Sequence, residues 1–203
     1  MKNILVVKSS IRGASGNSSK LVDKLVQRWQ AHYTDDTLTT RDLYESPLPH
    51  LSQASYEAMP IAVDQRSPEQ QANMALSDQL TEEFLAADTL IFGIPMYNFN
   101  IPSNFKAYID HITRIGLTFR YTAEGPEGLA GDKEAIIVLA RGGIYWGTEN
   151  DTQTPYLKNI LGFMGITNIK FFVAEGLNIN PEMCETNMQS AIDHMGTLFT
   201  EQA

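Results

Sequence analysis

The sequence predicts an α/β fold, a doubly wound sheet of five parallel strands with helices on both faces. Three observations predict it. Five short apolar runs alternate with segments of helical spacing from one end of the chain to the other, the pattern of right-handed β-α-β crossovers. The runs at residues 3–8, 88–94 and 133–140 are almost continuously apolar, as strands covered on both faces require. Neither internal repeats nor low-complexity tracts interrupt the alternation.

Taken in order, residues 3–8 form the first strand, and the Ser- and Gly-rich stretch 9–17 is a loop. Ser18 or Ser19 is placed to cap the next helix, whose inward stripe is Leu21, Val22, Leu25, Val26 and Trp29. Residues 38–43 are a second strand, less apolar than the first. Between Glu45 and Arg66, Pro47, Pro49 and Pro60 break regularity. A long excursion with one short helical turn is expected there, either a lid or subunit contact or a variable surface loop. Ser67-Pro68-Glu69-Gln70 starts a helix with Ser at N-cap, Pro at N1 and Gln at N3. Ala72, Leu76, Leu80 and Phe84 then recur every fourth residue. Pro95 stops the third strand, 88–94. A helix from Pro102 or Ser103 carries Phe105, Ile109 and Ile112. Residues 118–121 and 124–129 form a small two-strand excursion, and 133–140 the fourth strand. Thr154-Pro155 opens a helix with Leu157, Ile160, Leu161 and Met164 inward and Gly165 at its end. Residues 169–174 are the fifth strand. Asn180-Pro181-Glu182 starts the last helix, with Met188, Ala191, Ile192, Met195 and Phe199 inward. Five such strands fit the flavodoxin-like order 2-1-3-4-5, which binds a mononucleotide beyond the carboxyl ends of strands one and three.

At 203 residues the chain is expected to be one domain, 1–203, with a full core. Its net charge of −9 argues against nucleic acid or an anionic membrane as partner. An anionic cofactor remains compatible, because local backbone N–H groups hold one in an acidic protein. Cys184 is the only cysteine, so there is neither an internal disulfide nor a cysteine-built metal site, which suits a reducing cytoplasm. The N-terminal apolar run is too short for a signal sequence, and no run approaches the roughly 18 apolar residues that span a bilayer. A soluble cytoplasmic protein is expected. His32, His50, His111 and His194 lie too far apart for metal ligation and are expected to be surface or structural. Glu82-Glu83 reads as a solvated helix face.

Three loops open on one edge of the predicted sheet. The first, residues 9–19 with Ser10, Arg12, Gly16, Asn17 and Ser18, offers hydroxyls and backbone N–H groups at a helix N-terminus, the chemistry of phosphate binding; an ordinary polar loop has the same composition. It is neither G-x-G-x-x-G nor G-x-x-x-x-G-K-[ST]. In the second, Met96, Tyr97 and Phe99 offer an apolar face to a flat ring, and the backbone around Asn98 and Phe99 polar groups to its edge; simple packing is the other reading. The third, Ala140-Arg141-Gly142-Gly143 followed by Tyr145, admits a ligand close to its backbone or makes a tight turn.

Lys8-Ser9-Ser10 with Ser18 downstream, Met96-Tyr97-Asn98-Phe99, Thr118-Phe119-Arg120-Tyr121, Gly125-Pro126-Glu127-Gly128-Leu129, Arg141-Gly142-Gly143 and Leu161-Gly162-Phe163-Met164-Gly165-Ile166 together resemble the FMN-dependent NADH-azoreductase family of bacteria. The match runs in order over nearly the whole chain. The resemblance implies a homodimeric flavodoxin-like oxidoreductase. It would use FMN to pass electrons from NADH or NADPH to quinones and azo compounds in two half-reactions, hydride in and two electrons out, with the flavin rather than a side chain carrying the chemistry. It implies that Ser10, Gly16, Asn17 and Ser18 hold the FMN phosphate. Met96, Tyr97, Asn98 and Phe99 would line the isoalloxazine; Ala140, Arg141, Gly142 and Gly143 would bracket its other edge; Tyr121 and Phe163 would lie near the substrate. Members of the family often have serine where this chain has Gly16 and Ala140, which points to Ser15 as a replacement hydroxyl at the first site. Some carry an arginine in the long excursion where this chain reads Ala58-Met59-Pro60. Two other readings stand beside this one: a flavodoxin-type electron carrier without its own substrate, which the long excursion and the 118–129 insert disfavour, and a phosphodiester hydrolase, for which no metal or nucleophile cluster is present.

Overall fold

The computed structural model describes residues 1–200. Strands β1 (Asn3–Lys8), β2 (Thr37–Asp42), β3 (Thr89–Pro95), β6 (Glu134–Ala140) and β7 (Asn168–Ala174) form one parallel sheet in the order β2-β1-β3-β6-β7. Counted along the sheet's own strands, that is the predicted 2-1-3-4-5. Strands β4 (Phe119–Thr122) and β5 (Gly125–Gly128) pair antiparallel in the predicted two-strand excursion. The helices are α1 (Asn17–His32), α2 (Gln53–Ala58), α3 (Pro68–Ala86), α4 (Ser103–Ile112), α5 (Gln153–Phe163) and α6 (Pro181–Met195).

The continuous apolarity of the central strands has a simple physical cause. Alternate side chains point to opposite faces, and both faces are covered. Leu5, Val7, Leu90, Phe92, Ile94, Ile137 and Leu139 pack under α3, α4 and α5. Ile4, Val6, Ile91, Ile136 and Val138 pack under α1 and α6. Edge strand β2 is half exposed, as its composition predicted.

Three local expectations are corrected. Neither Ser18 nor Ser19 caps α1. Gly16 is the N-cap and provides no side-chain bond, and both serines are buried inside the first turn. On α3 the capping box of Ser67 and Gln70 forms as predicted, but the buried stripe is Met74, Ser77, Leu80, Thr81 and Phe84, with Ala72 exposed and Leu76 only partly covered. A four-residue repeat drifts by about 40° per step around a helix of 3.6 residues per turn, so a row through Leu80 and Phe84 has left the core by Ala72. Glu83 is not merely solvated. Its carboxylate accepts both Arg41 Nε (2.9 Å) and Nη2 (2.6 Å).

The excursion between β2 and α3 holds α2, capped by Ser52, and a 3-10 turn at Val63–Gln65. Buried polar groups fasten it. Arg66 Nη1 and Arg114 Nη2 share Asp78 at 2.6 and 2.9 Å, and Arg66 Nε donates to the Ile61 carbonyl. His111 is structural: buried, its ring bridges Ser77 Oγ (2.7 Å) and the Pro49 carbonyl (3.0 Å). Among the described residues no helix is long and apolar enough to cross a membrane.

Candidate functional site

The loops after β1, β3 and β6 meet in one cleft lined by Ser10, Arg12, Gly16, Asn17, Met96, Tyr97, Ala140, Arg141 and Gly142. It lies beyond the carboxyl ends of β1 and β3, where the strand order reverses. A larger groove of about 800 Å³ adjoins it across Met96 and Tyr97 and is walled by Ile11, Asn98, Asn100, Lys106 and Tyr156. Burial and the nearby Asp110 carboxylate push the Tyr156 phenol up to about 12, so it remains a hydrogen-bond donor at neutral pH.

In the first loop Gly13 takes a positive φ and begins a 3-10 turn, Gly13–Ser15, that leads into α1. Ser10 Oγ accepts the Arg12 N–H (3.2 Å) and lies 3.4 Å from the Tyr97 hydroxyl. A Cβ at Gly16 would fall 2.1 Å from Ser10 Oγ, so the glycine makes room for the Ser10 side chain at this corner. The first intrahelical donor is Lys20, which bonds the Gly16 carbonyl, leaving the amides of the first turn at the positive end of the helix. The Ser18 and Ser19 hydroxyls are buried there and have no hydrogen-bond partner among the described residues. Buried polar atoms are rarely left unmet, and this donor set fits a phosphate group. Ser15, expected as the replacement hydroxyl, donates instead to the carbonyl of Arg12 (2.8 Å).

The second loop is a tight reversal. Tyr97 and Asn100 exchange both backbone hydrogen bonds at 2.9 and 3.0 Å around Asn98 (φ 50°) and Phe99 (φ 65°). Two successive positive φ values define a type I′ turn, which favours Asn or Gly. Phe99 has no such excuse, and a left-handed non-glycine residue costs about 1–2 kcal/mol. Strain of this sort marks functional loops. The Phe99 ring is half exposed and meets Tyr145 edge-on at 5.6 Å.

The third loop is held from behind by a fourth, which follows β7. The carbonyls of Arg141, Gly142 and Gly143 accept the N–H groups of Leu177, Asn178 and Gly176 at 3.1, 3.0 and 2.9 Å. The paired glycines make room for the protein itself: Cβ atoms there would meet Asn178 Nδ2 at 2.5 Å and the Tyr145 hydroxyl at 2.7 Å. Arg141 has only its backbone at the cleft. Its guanidinium is fully buried, forked onto Asp151 (3.0 and 3.2 Å) and bonded to Glu175 (3.0 Å), Thr154 (2.7 Å) and Gln153 (3.1 Å). Burial pushes the Asp151 carboxyl up, but the Thr154 amide and hydroxyl and the Arg141 guanidinium outweigh it and hold it below its usual value.

Ser10, Gly16, Asn17, Met96, Tyr97, Ala140, Arg141 and Gly142 therefore share one cleft. Ser18 lies beneath it in the first turn of α1, Asn98 faces the adjoining groove, and Phe99 and Gly143 are the next residues along their loops. Tyr121 and Phe163 are not brought in. They flank the Phe119 ring of the two-strand excursion at 5.6 and 4.5 Å, Tyr121 from β4, 69% exposed, and Phe163 from the end of α5. Leu177 and Asn178 also line the cleft and escaped sequence reasoning, although the loop after the fifth strand opens on the same sheet edge. Among the described residues no group of three or more His, Cys, Asp or Glu side chains is arranged to hold a metal ion.

The family model for the flavodoxin-like fold matches residues 2–198. The chain is 49% identical over 183 residues to the FMN-dependent NADH:quinone oxidoreductase of Alcanivorax borkumensis, covering 90% of this chain and 92% of that one. It is 44% identical over 200 residues to the protein of the same name from Pseudoalteromonas atlantica, covering 98% of each. Among solved structures, azoreductase from Bacillus anthracis superposes with a TM-score of 0.90 at 31% identity, over 99% of this chain and all of that one. On the strand order, the switch-point cleft and these matches together, the chain belongs to the flavodoxin-like family of FMN-dependent NADH:quinone oxidoreductases.

Proposed function

We propose that residues 1–203 act as one FMN-binding unit, a cytoplasmic homodimeric oxidoreductase that takes electrons from NADH or NADPH and delivers them to quinones and azo compounds in two alternating half-reactions. One observation carries the cofactor assignment: the uncapped N-terminus of α1, whose first turn holds the buried, unpartnered Ser18, opens into the cleft lined by Met96 and Tyr97, the residues that lead into the strained turn at Asn98 and Phe99. The relatives' names support the donor and acceptor classes.

In this reading Ser10, Gly16, Asn17 and Ser18 hold the FMN phosphate, with first-turn amides and hydroxyls offsetting its charge in an acidic protein. Met96, Tyr97, Asn98 and Phe99 carry one side of the ring, and Ala140, Arg141, Gly142 and Gly143 bracket the opposite edge through their backbone. Bound flavin supplies the redox chemistry by accepting a hydride and releasing two electrons. The chain contributes binding, orientation and exclusion of water; no side chain is assigned an acid or base role. The groove beside Met96 and Tyr97 receives the nicotinamide and then the acceptor. Tyr121 and Phe163, which stand away from their own chain's cleft, bound the slot of a second subunit.

The purified protein is expected to be yellow with FMN, bleached by NADH or NADPH without oxygen and recoloured by a quinone or an azo dye. It should sediment as a dimer. A colourless protein that takes up no FMN would overturn the reading. Rapid reduction of a protein partner with negligible turnover of quinones would establish an electron carrier instead.

A further inference from the structure

We infer that Gln153 is a positioning residue for the Met96–Phe99 loop, its buried side-chain amide tying the end of β3 to the Arg141 guanidinium at the end of β6. Gln153 is fully buried at the start of α5. Its Nε2 donates to the Pro95 carbonyl (3.0 Å), and its Oε1 accepts Arg141 Nε (3.1 Å). The orientation of the amide is forced, because a carbonyl only accepts and a guanidinium only donates. The β3–β6 ladder ends at the bond from Met96 N–H to the Ala140 carbonyl. Just where the two strands part to form opposite walls of the cleft, Gln153 bridges them.

Thr152 completes the attachment by donating from its hydroxyl to the Phe99 carbonyl. Neighbouring residues 152 and 153 therefore hold carbonyls 99 and 95, on either side of the strained turn. A turn with two left-handed non-glycine residues relaxes unless its surroundings over-determine it. The charge of Arg141 is already matched by Asp151 and Glu175, which leaves Gln153 a neutral strut. A cofactor site of this type needs its walls held to within about 0.5 Å.

This inference rests on the proposal that the cleft holds FMN, and the test separates the two. Gln153→Met removes both bonds at similar volume. Gln153→Glu keeps the acceptor for Arg141, loses the donor to Pro95, and decides the question where Gln153→Met does not fold. Asp78→Asn disturbs the remote Arg66–Arg114 cluster and serves as the control for lost stability alone. For each holoprotein, FMN affinity, the visible spectrum of bound flavin, its midpoint potential and the melting temperature are measured. Both Gln153 variants should bind FMN at least about tenfold more weakly, about 1.4 kcal/mol, with an altered flavin band and a shifted potential. Asp78→Asn should lose melting temperature and leave the spectrum and potential unchanged. If Gln153→Met or Gln153→Glu melts lower but keeps its FMN affinity within about twofold and its potential unmoved, Gln153 is structural only and the inference falls. If the unsubstituted protein takes up no FMN, the functional proposal itself falls.

Discussion

Replacing Arg141 by methionine tests how the walls of the cleft are held. Methionine keeps most of the volume and removes a guanidinium that makes five hydrogen bonds at 2.7–3.2 Å, to Gln153, Asp151, Glu175 and Thr154. Breaking a buried ion pair by deleting one partner costs about 3–5 kcal/mol, because the other charge is left uncompensated. Two carboxylates remain here, but neither is stripped bare. Asp151 keeps the Thr154 N–H (3.0 Å), and Glu175 keeps the Tyr145 and Trp146 N–H groups (2.9 Å each). The expected loss is therefore toward the lower end, about 3–4 kcal/mol. For a chain of this size that corresponds to a fall of roughly 6–16 °C in melting temperature. Arg141→Lys preserves the charge but not the planar fork and should lose about 2 kcal/mol. In the double variant with Asp151→Asn the losses should be clearly less than additive, since the two residues touch. The assay is equilibrium urea denaturation at fixed protein and fixed excess FMN, so that ligand and subunit linkage do not differ between variants. A loss below about 1 kcal/mol for Arg141→Met would refute the reasoning, because the buried carboxylates would then be satisfied without it.

Asp151 sits below its usual value of 3.8 in the folded protein, so its contribution is fully present above pH ~4 and is lost as pH falls through the lower folded value; acid melting curves of the unsubstituted protein and Asp151→Asn should converge in that window. Asp78→Asn leaves the Arg66 and Arg114 side chains, 2% and 1% exposed, without their shared carboxylate. Asp78 itself is one-third exposed, which screens the pair, so about 3 kcal/mol or somewhat less is expected, read as a lowered urea midpoint. Phe99→Gly relieves a left-handed residue worth about 1–2 kcal/mol and gives up a ring contact with Tyr145 worth about 0.5–1.5 kcal/mol. Stability should change by less than about 1 kcal/mol while FMN retention weakens and hydride transfer by the remaining bound flavin persists. A stability loss above about 2 kcal/mol would show that the turn is not strained.

Much of the fold was legible in the sequence because its causes are local and periodic. The two-sided burial of β1, β3 and β6 is written as continuous apolar runs, the α3 start as Ser67, Pro68 and Gln70, and the crossover rule turns the β/α alternation into one strand order. That order, with Ser10, Met96 and Gly142 in the loops that must share an edge, was enough to place the cleft. The tertiary structure decided what each residue there does. Whether Arg141 faces a ligand or the interior depends on Asp151 and Glu175, which the chain brings back 10 and 34 residues later. The absence of a Cβ at Gly142 and Gly143 makes room for Asn178 and Tyr145 of the same chain, and Gln153 becomes a strut only because α5 begins beside the end of β3. Periodicity and capping are read along a chain over a few residues; the satisfaction of a buried charge or carbonyl is a question about neighbours in space, and only the packed fold supplies them.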